Sequence, residues 1–168
     1  MSKNSVPNVL VFDTEWNGFR DTADKMWVYY DCTHTWTPGN YPFKNAIKPS
    51  GIQKAFNSAE YVVGHNIINY DLPLLKKWYG ITVNPKKVID TLVWSHLFFP
   101  DLKVPDGWVG KPAPHSLEAW GMRLGGLQKT EIQDFSQFSP EMIHRCQVDA
   151  YINYELFKHL WNFYKTIL

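Results

Sequence analysis

Asp13 and Glu15 are the residues of this sequence best suited to chemistry. They close the run Val9-Leu10-Val11-Phe12-Asp13-Thr14-Glu15, in which four apolar residues lead into an acid-x-acid pair. A continuous apolar run of this length reads as a strand covered on both faces. Side chains alternate along a strand, so Asp13 and Glu15 share one side while Thr14 faces the other. Two carboxylates on one side of a core strand repel each other, and a cation between them relieves the repulsion. Carboxylate oxygens are the ligands that Mg²⁺ and Mn²⁺ favour. The plainer reading is that Asp13 ends the strand in a turn and Glu15 is solvated.

Two other clusters hold acids of interest. In Asn66-Ile67-Ile68-Asn69-Tyr70-Asp71 a short apolar strand gives way to a helix. Alone, Asp71 would serve as a helix cap and Asn66 as a turn residue. The third cluster, His144-Arg145-Cys146-Gln147-Val148-Asp149, lies in the last helical region, where Asp149 alone fits an exposed position. Metal-assisted hydrolysis needs an activated water and stabilised charge on two oxygens. Two divalent ions held by carboxylates from separate elements supply both. An imidazole such as His144 titrates near neutral pH and suits a general base. Residues five apart diverge in angle on an ideal helix. His144 and Asp149 therefore meet only if the helix breaks between them or His144 precedes it, and such a break is expected.

The elements that must position these residues follow from periodicity and turn signals. After the first strand, Met26 to Cys32 reads as a second, and the turn signal Pro38-Gly39-Asn40 closes a hairpin with a third. A short helix follows from Ser50, its expected cap, to Asn57. The short apolar strand from Tyr61 to Asn66, ending in Gly64-His65-Asn66, precedes a helix from Asp71 to Tyr79, stopped by Gly80. Val88 to Leu92 begins another apolar segment leading into a helix near His96. Residues 99 to 114 are rich in proline and irregular. Helices are expected from His115 to Leu124, ended by Gly125-Gly126, and from Ser139-Pro140-Glu141 to the C-terminus. Strands first, then strands alternating with helices, give an α/β chain with a mixed central β-sheet flanked by α-helices, a single domain over residues 1–168.

Composition narrows the function classes. The chain has 45% hydrophobic and 20% charged residues, ordinary for a globular domain. A net charge of +1 gives no global signature of nucleic-acid binding, so such binding would rely on a local patch. Aromatic residues reach 16%, enough for some to serve as stacking platforms for bases beside those that fill core. Two distant cysteines, Cys32 and Cys146, do not suggest a disulfide scaffold, and no signal peptide or membrane-length apolar run is present. A soluble, cytoplasmic protein without membrane partners is expected.

In this order the three clusters resemble the DnaQ-like, or DEDD, family of 3′→5′ exonucleases. Asp13 and Glu15 match the first motif, Asn66 with Tyr70-Asp71 the second, and His144 five residues before Asp149 the histidine form of the third. Val88-Ile89-Asp90-Thr91-Leu92 and the block from His115 to Gly125 are similar to the proofreading domains of phage family A DNA polymerases. Those carry a tyrosine form of the third motif, where this chain has Arg145. The resemblance implies a ribonuclease H-like fold and two divalent metal ions, Mg²⁺ or Mn²⁺. It implies Asp13 as bridging ligand, Glu15 and Asp149 completing the site of the water-activating ion, Asp71 acting on the second ion, and His144 as base. Release of nucleoside 5′-monophosphates from DNA 3′ ends is implied, with a separate DNA polymerase as a candidate partner. Alternatives are an exoribonuclease of the same fold, acting on RNA, and a non-catalytic nucleic-acid-binding module. Thr14, Trp16 and Asn66 are candidate substrate contacts: Trp16 either stacks on a terminal base or fills core. His65 reads as a turn residue, Asp90 as structural, His115 as either a DNA-facing residue or a cap, and Cys146 as helix packing.

Overall fold

The computed structural model describes residues 7–39, 43–126 and 131–168. The apolar opening run divides into β1 (Val9–Val11) and β2 (Asp13–Trp16), which take different partners on either side of Phe12. β1 pairs in parallel with β5 (Tyr61–Gly64), and β5 in parallel with β6 (Val88–Asp90). β2 pairs antiparallel with β3 (Met26–Tyr30), which pairs with β4 (Thr35–Trp36). Phe12 N–H donates to Val63 O at 3.0 Å, so the backbone passes from the parallel to the antiparallel set with its hydrogen bonding unbroken.

Both faces of the opening run are covered, as an unbroken apolar stretch requires. Leu10, Phe12 and Trp16 pack among Phe56, Leu74 and Leu75, from α1 (Pro49–Ser58) and α2 (Asp71–Tyr79). Val9 and Val11 pack instead with Val63, Ile89 and Phe157. Phe157 belongs to α5 (Pro140–Ile167), the 28-residue helix that ends the chain. Between them come α3 (Thr91–Phe98) and α4 (Leu117–Gly125). Even-numbered side chains of the opening run thus meet α1 and α2, and odd-numbered ones meet α5.

Local chemistry fixes the ends. Gly80 and Gly126 stop α2 and α4 in the left-handed conformation that glycine adopts without penalty. Ser116 caps α4 by accepting from Ala119 N–H at 3.2 Å. Two expectations need correcting. The residue before α1 is Lys48, and Pro49 rather than Ser50 opens the helix. The β3–β4 hairpin turns at Asp31–His34, where the Asp31 carboxylate accepts from Thr33 N–H at 3.0 Å and His34 N–H at 2.6 Å. The signal Pro38-Gly39-Asn40 comes after β4, and its Asn40 lies outside the described residues. Among the described residues no helix is long and apolar enough to cross a membrane.

Candidate active site

Strand alternation and one helix face bring three of the four acids together. Asp13 and Glu15 take the odd-numbered side of the opening run, toward α5. There Asp149 interrupts a buried stripe made by Met142, Cys146, Asn153, Leu156 and Leu160. Ligand atoms of Asp13, Glu15 and Asp149 all lie within 4.8 Å of one another. Glu15 and Asp149 are buried. Cys146 seals α5 against β2, its thiol donating to Asp13 O at 3.2 Å, and burial pushes that thiol well above its usual pKa. The packing role expected for Cys146 is what its surroundings describe.

Asp71 does not share that cluster. It opens α2 on the even-numbered side, buried, and accepts a hydrogen bond from the Thr14 hydroxyl. Trp16 Nε1–H in turn donates to Thr14 Oγ1 at 2.7 Å. A relay thus runs from Trp16 through Thr14 to Asp71, and every member has its donor or acceptor matched. Burial raises the Asp71 pKa to about 7, against which the Thr14 hydrogen bond works downward. Trp16 is only 2% exposed and packs on Tyr79, so it fills core and cannot stack on a terminal base. The Thr14 side chain is likewise engaged with Asp71 rather than open to a substrate.

The third motif also differs from expectation. α5 runs without a break from Pro140 to Ile167, and His144 lies exposed on it. Arg145, one helical turn before Asp149, faces the acids instead. Its Nε lies 3.0 Å from Glu15 Oε1 and 4.0 Å from Asp149 Oδ2. The physical reason is angular: on a continuous helix the residue four positions away shares a face and the residue five away does not. His144 is therefore not aimed at the acids, and the base role expected for it does not fit a continuous helix. Arg145 thus sets a positive charge beside the Glu15 and Asp149 carboxylates.

Asp13 and Asp149 line a cleft of about 540 Å³, together with His65, Asn66, His96 and His115. Asn66 sits in the left-handed region, at φ 63°, where asparagine is tolerated. Asp90 holds that turn: its carboxylate accepts from Asn66 N–H at 2.9 Å and Ile68 N–H at 3.0 Å. The same carboxylate caps α3, accepting from Leu92 and Val93 N–H at 3.0 and 3.4 Å. Its structural role is as expected from sequence. His65 Nδ1 lies 2.9 Å from Thr91 Oγ1, whose hydroxyl lies 2.6 Å from Asn153 Oδ1 on α5. Across the cleft His115 is buried, and its Nδ1 meets Ser95 Oγ at 2.7 Å. Burial first, then His96 and Arg123, hold the His115 pKa below the usual imidazole value.

The residues present fit a divalent cation: a donor set made only of carboxylate oxygens, partly buried, is the hard-ligand environment such ions favour. Asn153, Ser95 and His96 belong to no motif that the sequence singles out. For Arg145 a signal existed, its four-residue spacing from Asp149.

No protein-family model matches the sequence. The chain is 30% identical over 153 residues to the DNA-directed DNA polymerase of Enterobacteria phage T3, and 32% over 149 residues to that of Escherichia phage T7. Each match covers 79% of this chain and 21% of the polymerase, so the chain spans about a fifth of these relatives' length. Among solved structures, Brucella melitensis NrnC with bound Mg²⁺ is similar over 93% of this chain and 73% of that one, with a TM-score of 0.65 at 17% identity, a likeness of fold. Its mixed sheet with flanking helices is the ribonuclease H-like arrangement. That fold, the sequence relationship to these polymerases and the three ordered acidic motifs together support a DnaQ-like 3′→5′ exonuclease domain.

Proposed function

We propose that this domain is a metal-dependent nuclease that removes nucleoside 5′-monophosphates from the 3′ end of single-stranded or frayed DNA. The observation that carries the reading is the convergence of Asp13, Glu15 and Asp149 within 4.8 Å at the cleft. Relationship to two DNA polymerases supports DNA rather than RNA as substrate, and a polymerase as its working partner. Asp13, Glu15 and Asp149 would hold one divalent ion, and Asp71 would serve a second. When bound, two such ions supply an activated water and stabilise charge on the attacking and leaving oxygens.

The chain's own residues prepare that chemistry. Arg145 sets its positive charge against the Glu15 and Asp149 carboxylates, which would hold the ion. Thr14, fixed by Trp16, keeps Asp71 oriented and favours its ionised form. Asp90 fixes the Asn66 turn at the cleft edge, where Asn66 meets the terminal nucleotide.

The test uses 5′-labelled single-stranded DNA and the matching RNA, with Mg²⁺ or Mn²⁺, with chelator, and with Asp13→Ala. A DNA ladder shortening from the 3′ end, lost with chelator and with the substitution, is expected. Trimming of RNA alone would move the assignment to an exoribonuclease. Degradation of neither polymer, or activity that survives chelation, would overturn the reading.

A further inference from the structure

The wall of the cleft that carries no acid is built around a second relay. Ser95, fully buried on α3, receives Trp120 Nε1–H at 2.9 Å and meets His115 Nδ1 at 2.7 Å. With Trp120 as donor, the Ser95 hydroxyl proton has one acceptor within reach, the Nδ1 of His115. The opposite arrangement, Nδ1–H donating to Ser95, would leave that hydroxyl proton buried without an acceptor, at a cost of about 1–3 kcal/mol. Ser95 therefore donates, and neutral His115 carries its proton on Nε2. Among the described residues Ser95 is the only hydrogen-bond partner of the His115 ring. Its Nε2–H is the polar group this ring has to offer the cleft it lines.

His96 follows Ser95 on α3 and stacks its ring on that of His115, with centroids 3.8 Å apart and planes 28° off parallel. His96 is exposed and lines the same cleft. The remaining wall, Leu92, Pro112 to Pro114 and Leu117, has no side-chain donor besides Ser116, whose hydroxyl is spent on Ala113 O at 2.8 Å, and His65 and Asn66 line the cleft from the turn after β5. A strand whose scissile linkage lies at the acids carries a negative charge on every neighbouring linkage. Carboxylates cannot hold those oxygens, whereas the stacked imidazoles of His96 and His115 offer two adjacent donors. Contacts of this kind set the register of a strand without reading its sequence.

We propose that His115 Nε2–H, with the stacked His96, is a phosphate-binding site that holds a non-bridging oxygen of an internucleotide linkage beside the one cut. The proposal rests on the exonuclease reading for its substrate and makes both histidines positioning residues. Binding of 3′-labelled single-stranded DNA is measured by anisotropy in chelator, with one linkage at a time replaced by an uncharged methylphosphonate. In the unsubstituted protein one replacement near the 3′ end weakens binding about tenfold, as loss of a charge-assisted hydrogen bond should. His115→Leu weakens binding of the unmodified strand by a similar factor and no longer responds to that linkage. His115→Gln, which keeps an N–H donor, retains most of the response. His96→Ala, at an exposed position that leaves the core intact, loses several-fold and flattens the same linkage, so the test survives if His115→Leu does not fold. Linkage profiles unchanged in both variants, or losses that follow base identity, overturn the site. A protein that trims DNA with Mg²⁺ while its variants keep the full profile loses this inference but keeps the exonuclease reading. One that shows the linkage response but never trims loses the exonuclease reading and keeps the phosphate site.

Discussion

Two relays of the same design serve this cleft with different outcomes. In one, Trp16 N–H donates to the Thr14 hydroxyl, which donates to Asp71; in the other, Trp120 N–H donates to the Ser95 hydroxyl, which meets His115. In both, an indole that can only donate forces the hydroxyl proton toward the next residue. When that residue is a carboxylate, the relay favours its charged form against burial. When it is an imidazole, the relay selects a tautomer and leaves a neutral N–H for the cleft. The difference lies in the terminal group, not the wiring.

The largest expected effect concerns the first relay's terminus. Asp71 has a pKa raised to about 7 by burial, against 3.8 for an exposed aspartate. Between those values the folded state holds a proton that the unfolded state has released. Stability of the protein without metal therefore falls as pH rises through this window and levels off above it. Denaturant titrations from pH 4 to 8 should show that slope, and Asp71→Asn should flatten it. A slope of the opposite sign would break the account of Asp71.

Next in size is a substitution that strikes both relays. Asp90 holds the turn leading to Asp71 and also caps α3, which carries Ser95 and His96. Asp90→Ala should destabilise the fold by about 3 kcal/mol, since four backbone donors lose a charged acceptor. Thermal melts check this, and a loss below 1 kcal/mol would show that water replaces the carboxylate. Thr14→Val separates the relays: DNA trimming should fall about a hundredfold through a lower kcat, as a charge-assisted hydrogen bond to Asp71 is lost. Strand binding in chelator, which depends on the second relay, should not change. Smallest is Arg145→Ala, which should tighten Mn²⁺ binding about tenfold by removing a competing cation from Glu15. Calorimetry showing weaker binding instead would make Arg145 a support of the ion site.

Much of this was legible in residue spacing. Alternation along the opening run places Asp13 and Glu15 together and Thr14 opposite, and the structure follows it. The same rule explains why Asp71, bonded to Thr14, stands apart from the trio, and why Trp16 lies in core with Leu10 and Phe12. The exonuclease resemblance places all four acids at one site, and of these parity accounts for the tight trio of Asp13, Glu15 and Asp149. Continuity of α5 was also readable, because no glycine or proline follows Pro140 to break it. That continuity carries Arg145, not His144, onto the face of Asp149. What spacing could not reveal was the exchange of strand partners at Phe12, since an apolar run looks the same in either sheet. Nor could it reveal the Ser95–His115 contact, which joins residues on either side of an irregular, proline-rich segment.

The central claim is that Asp13, Glu15 and Asp149 form the primary cation site while Asp71 stands outside it. Paramagnetic resonance titration of Mn²⁺ into the unsubstituted protein, Asp149→Asn and Asp71→Asn tests it most directly. The account predicts a bound ion in the unsubstituted protein, its loss in Asp149→Asn, and its retention in Asp71→Asn. Binding that survives Asp149→Asn but vanishes with Asp71→Asn would contradict it.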